Sequence, residues 1–122
     1  MRVVLHPEGL AECRAAALGY EEQREGLAET FSDAITAILE RIARAPEAFP
    51  VWPGIRRAVP IRRAMVERFP YAVAFEYPIT SESDKQVVVV LAIAHTKRQP
   101  LYWLARGSQI PVSGPSASTV SR

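Results

Sequence analysis

Residues 87–94 read Val-Val-Val-Val-Leu-Ala-Ile-Ala, the longest apolar run in the chain. A membrane helix needs roughly 20 such residues, so this run is far too short to span a bilayer. It fits a buried strand instead. Its side chains are apolar on both faces of the pleat, and both faces must therefore be covered. That places it centrally in a sheet. The remaining elements have to flank it or cover it.

Three further strands are predicted. Residues 2–6 read as a short first strand. Residues 61–68 alternate loosely and start a second. In the third, Tyr71, Val73, Phe75 and Tyr77 share one face, with Ala72, Ala74 and Glu76 opposite. Residues 78–85 read as a polar turn between this strand and the central one.

Two helices lie between the first strand and the rest. Pro7 suits a first helical turn, where a missing N–H costs nothing. Glu8 and Glu12 sit near that helix's positive end. Leu10, Cys13 or Arg14, Ala17 and Tyr20 or Glu21 make a weak stripe, and Gly26 marks a tight connection. The second helix is clearer. Leu27, Phe31, Ala34, Ile35, Ile38 and Ile42 recur at three- and four-residue steps on one face. Pro46 ends it. Prolines at 46, 50, 53 and 60 with Gly54 mark the following stretch as a loop carrying Trp52. The fold class is α+β: strand, helix hairpin, then an antiparallel sheet of about three further strands, with the hairpin covering one sheet face.

At 122 residues the chain suits one ordinary domain. We place that domain at residues 1–106, with a flexible tail at 107–122 that is poor in bulky apolar groups. The N-terminus lacks the apolar core of a signal peptide. A single cysteine, Cys13, excludes an intrachain disulfide and suits a reducing cytoplasm. Net charge is +2 but uneven. Residues 1–40 carry three basic and eight acidic groups, while residues 41–122 carry twelve and five. The basic part suits nucleic acid or an acidic protein segment; a plain solvated surface is the alternative.

Polar groups cluster after the strands. His95 ends the central strand, followed by Lys97, Arg98, Tyr102, Trp103 and Arg106. RNA cleavage without a metal needs a base for the 2′-OH and an acid for the leaving oxygen, and histidine suits either role. Arg98 and Arg63 would stabilise a phosphate by fixed charge. Arg68 and Lys97 are weaker candidates. The competing reading is architectural: His95 bonds backbone at the sheet edge, and Tyr102-Trp103 pins the C-terminal segment onto the sheet. Pro100 would stiffen the loop beside Arg98. Phe69-Pro70-Tyr71 reads as architectural and Cys13 as a small core residue. Two distant histidines and one cysteine do not make a metal site, and no cofactor is expected.

The chain resembles the RelE/ParE superfamily of bacterial type II toxin–antitoxin toxins, on its ParE, plasmid-stabilisation side. The matching residues are the segment 20–31, Ile42 with Pro46, Arg62-Arg63, and Arg68-Phe69-Pro70-Tyr71. The run from Leu91 through His95, Arg98 and Pro100 to Tyr102-Trp103 and Arg106 completes the set. Together they cover most of residues 3–106 in the family's order. The Pro-rich loop before Ile61 is longer than usual, and the tail is extra. The resemblance implies a growth-inhibiting toxin neutralised by a cognate antitoxin. ParE-like members imply inhibition of DNA gyrase by binding. RelE-like members imply a ribosome-dependent mRNA endonuclease, with Tyr102 matching a tyrosine that stacks on a base or assists proton transfer. On that alternative His95, Arg98, Tyr102 and Arg63 form a metal-independent catalytic set. A decayed toxin that keeps only antitoxin binding is the third reading.

Overall fold

A computed structural model describes residues 1–98 and 101–107. The tail expected at 107–122 lies outside them except for Gly107, and so does the stiffening expected of Pro100.

Strand β1 (Val3–Leu5) leads directly into α1 (Pro7–Gln23). His6 caps this helix, its Nδ1 accepting the Glu8 N–H at 3.1 Å. Gly9 lies against the backbone of the sheet; a Cβ there would come within 3.2 Å of the Leu91 carbonyl oxygen. The connection to α2 (Leu27–Arg44) turns at Gly26, whose φ of +88° is the left-handed conformation glycine tolerates. The Glu21 carboxylate accepts the N–H groups of Gly26 and Ala28 at 3.1–3.2 Å, which satisfies orphan donors at the α2 start. These two bonds hold the Glu21 carboxyl below its usual range.

On α2, Phe31, Ile35, Ile38 and Ile42 are buried, as the stripe predicts. Arg41 and Arg44 fall in its last turn, where they complement the helix dipole. A 3-10 turn at Pro46–Ala48 follows.

The sheet order is β1-β4-β3-β2, with β2 at Ile61–Met65, β3 at Tyr71–Thr80 and β4 at Gln86–His95. The three later strands pair antiparallel, whereas β1 joins β4 in parallel, so the complete sheet is mixed. β4 is internal and buried through residues 87–94, as its two-sided apolar pattern requires. The turn expected at 78–85 is shorter than that, because β3 continues pairing to Thr80.

The helix hairpin covers one face. Tyr20, Phe31, Phe69 and Tyr71 form an aromatic cluster there, with ring centroids 5.0–6.3 Å apart. The other face is covered by loops. Trp103 is buried against it and meets Trp52 edge-on at 4.8 Å. Arg57 ties the Pro-rich loop to the C-terminal turn by donating to the Leu104 carbonyl at 3.1 Å. Glu76, on this second face, is buried as well. Gly107 lets Arg57 and Glu76 close in: a Cβ on it would meet Arg57 Nη1 at 2.7 Å and Glu76 Oε2 at 3.1 Å.

Candidate functional site

The site begins with a mismatch in strand length. β1 has three residues and pairs with β4 only as far as Val90. Beyond Val90 the same edge of β4 has no strand beside it among the described residues. Opposite, Phe75 pairs with Val90 and Ala74 with Ala92, which leaves Leu91 as an extra, bulged residue. Two buried backbone groups that β1 does not pair find side-chain partners. Arg106 Nη1 donates to the Leu91 carbonyl at 3.0 Å, and the Ile93 N–H donates to Glu12 Oε1 at 3.1 Å. Two side chains thus complete an edge that the short first strand leaves open.

Glu12 is the centre of this arrangement. Its Oε2 accepts the Tyr102 hydroxyl at 2.6 Å and Arg106 Nη2 at 3.0 Å. Arg98 approaches the same oxygen at 3.6 Å. Glu12 and Arg106 keep only 15% and 12% of their side-chain surface exposed, whereas Arg98 keeps 56%. The first pair is therefore anchored, and Arg98 is a peripheral third member. Burial, then the hydrogen bond to Glu12, pushes the Tyr102 phenol far above an ordinary tyrosine. Burial works against the Arg106 charge, but Glu12 outweighs it and the guanidinium is held more firmly protonated than usual. The Arg98 guanidinium lies 3.8 Å from the centre of the Tyr102 ring, close enough for a cation–π contact.

A cavity of about 230 Å³ opens beside this cluster, and His95, Arg98, Tyr102 and Arg63 all line it. The four residues singled out in the sequence thus share one space. Met65, Ala72, Ala94 and Trp103 give it apolar walls. Trp52 lines it too, with Arg63 5.6 Å from its ring centre. His95 sits at the rim. Its ring meets Tyr71 edge-on at 5.2 Å, and its Nδ1 accepts the Lys97 N–H at 3.0 Å. The backbone bond expected of an architectural His95 is present.

Other candidates stand elsewhere. Arg68 is exposed in the β2–β3 turn with φ +72°, away from the cavity lining. Lys97 contributes its backbone N–H and does not line the cavity. His6 is occupied as a helix cap; burial, then the nearby Arg106 charge, lowers its pKa. Cys13 is half-buried beside the helix-side core, and burial raises its thiol pKa.

The sequence reading missed the pivotal role of Glu12, treating it as a partner for the helix dipole. The available signal was weak: an acid one turn after Glu8, and Arg106 ending the polar run.

The comparisons agree with this architecture. A family model described as the ParE toxin of type II toxin-antitoxin system, parDE, matches residues 3–100. Among solved structures, one titled "Chromosomal ParDE TA system from P. aeruginosa" superposes with a TM-score of 0.54. The two chains are 17% identical, and the match covers 80% of this chain and 97% of the other. At that identity the likeness is one of fold. No curated protein matches at a significant level. With most of its length matched by the family model, the chain belongs to the ParE toxin family of type II toxin–antitoxin systems.

Proposed function

We propose that this ParE-type toxin arrests growth by binding DNA gyrase, and that a cognate antitoxin protein neutralises it within the same cell. The observation that carries the binding reading is the engagement of Tyr102. Its hydroxyl donates to Glu12 at 2.6 Å, and Arg98 lies over its ring. With a phenol pKa raised by burial and by that bond, Tyr102 is a poor proton donor or acceptor at neutral pH. Of the four cavity residues only His95 is of a type that exchanges protons readily near neutrality. One such group serves a two-proton cleavage poorly, whereas a fixed array of arginines and aromatics suits protein recognition. The functional unit is residues 1–106.

A second reading has its own support. His95, Arg98, Tyr102 and Arg63 line one cavity, the arrangement a ribosome-dependent mRNA endonuclease would need.

Inducible expression separates the two. The binding reading expects growth arrest, altered plasmid supercoiling and no new mRNA 5′ ends. The cleavage reading expects new 5′ ends that vanish with His95→Ala. Absence of arrest, with a neighbouring gene product still co-purifying, would mark a toxin reduced to antitoxin binding. An antitoxin complex should bury roughly 1,200–2,000 Å² or more. A toxin that ignores every adjacent gene product would contradict the antitoxin part.

A further inference from the structure

The cavity combines two chemistries that one ligand must satisfy together. Its walls are apolar, from Met65, Ala72, Ala94 and Trp103. A cavity of about 150 Å³ is enough to hold a benzene ring. At about 230 Å³ this one has room for a ring and the atoms that attach it.

The fixed charges lining this space are both cationic, Arg63 and Arg98, beside the polar side chains of His95, Thr96 and Tyr102. Glu12 is already matched by Arg106 at 3.0 Å, and it also takes the Tyr102 hydroxyl and the Ile93 N–H. Arg98 is surplus to that network: at 3.6 Å it adds charge but no close hydrogen bond, and most of its guanidinium arm faces solvent. Arg63 has no carboxylate within ion-pairing distance among the described residues. Both arginines are steadied by aromatic rings, Arg98 on Tyr102 and Arg63 on Trp52. They are thus positioned in advance, which lowers the ordering cost of binding an anion.

We propose that this cavity receives one bulky apolar side chain of a partner protein, with a neighbouring carboxylate of the same acidic segment held by Arg98 and Arg63. The inference deepens the reading of the chain as a protein-binding toxin and rests on it. A single-stranded nucleic acid is the less favoured occupant. Bases seek open aromatic faces, and here arginines already lie at the Tyr102 and Trp52 rings. An acidic segment also matches the excess of basic groups in residues 41–122.

The chain has two tryptophans, and both line the cavity, so intrinsic fluorescence reports on its occupancy. The full chain would be titrated with the peptide acetyl-Glu-Phe-Glu-Phe-Asp-amide, with its Gln/Asn counterpart and with oligouridylate. The expected result is a saturable change in tryptophan emission with the acidic peptide. Affinity should fall roughly tenfold or more for the Gln/Asn peptide and for Arg98→Ala or Arg63→Ala, the loss of one charge-assisted contact. Ala94→Leu, which fills the cavity from its wall, should block binding while circular dichroism stays native. The proposal is overturned if oligouridylate saturates the signal at lower concentration than the acidic peptide. Equal binding of both peptides, or no response to either, overturns it too. No gyrase enters the assay, so a negative result leaves gyrase inhibition standing, and failure to inhibit gyrase leaves a positive titration intact.

Discussion

The two faces of the sheet are closed by different means. On one, α1 and α2 pack a continuous apolar layer with Phe31 fully buried beneath Tyr20, Phe69 and Tyr71. On the other, loops do the covering and are fastened by side chains to backbone, as Arg57 to Leu104 and Arg106 to Leu91. The first face is dense, and its closure depends on burial. The second has a cavity and arginines with donors to spare. Rigid scaffold and the proposed recognition surface thus lie on opposite faces of one sheet, the usual division between regular elements and loops.

Substitutions on each face sharpen this contrast. The largest effect is expected from Phe31→Ala. Emptying a fully buried aromatic site should cost about 3–5 kcal/mol in denaturant unfolding. A loss below about 1 kcal/mol would mean that the helix face is not the main source of stability.

Glu12→Ala comes next. It strands the Ile93 N–H and the half-shielded Arg106 charge, and frees the Tyr102 hydroxyl. We expect a loss of about 2–3 kcal/mol, less than for a fully buried ion pair because water reaches the edge. The Tyr102 phenol should then ionise at lower pH, visible in its ultraviolet titration. An unchanged titration would show that Glu12 does not hold it.

Arg98→Ala should hardly affect stability, by about 0.5–1 kcal/mol at most, since it removes an exposed cation–π contact and a peripheral, solvent-screened ion pair with Glu12. Its effect should fall on growth arrest instead. A large stability loss without a change in toxicity would reverse the roles assigned to the two faces.

The smallest effect concerns His6. Burial, then Arg106, depresses its pKa below 6.5, while Glu8 and Glu12 act in the opposite direction. A histidine with a lowered folded-state pKa contributes stability that is present above pH 6.5 and is lost as pH falls through the folded value. His6→Asn keeps a capping acceptor and removes the titration. The difference in melting temperature between the two proteins should therefore shift in favour of the variant on acidification from neutrality. A constant difference would contradict this.

The helix-covered face was legible in the sequence because its information is local. The spacing of Phe31, Ile35, Ile38 and Ile42 states which side of α2 is buried, and the two-sided apolar run states that β4 is central. The parallel pairing of β1 was not legible, since three residues carry no signal of direction. The same holds for Glu12. Its partners Ile93, Tyr102 and Arg106 lie 81, 90 and 94 positions away, and no periodicity links residues at such separations. His95, Arg98, Tyr102 and Arg63 could be named by residue type and by family pattern. The cavity that gathers them depends on Trp52 from the Pro-rich loop and on Met65 at the end of β2, neither of which carries a catalytic signature.

The proposal that the loop-covered face inhibits by binding stands or falls on gyrase. It is tested most directly by adding the purified chain, and separately Arg98→Ala, to a DNA gyrase supercoiling reaction beside a translating extract assayed for mRNA 5′ ends. The chain should suppress supercoiling, Arg98→Ala should suppress it less, and the mRNA should stay intact. Unimpaired supercoiling together with new mRNA 5′ ends, abolished by His95→Ala, would contradict it.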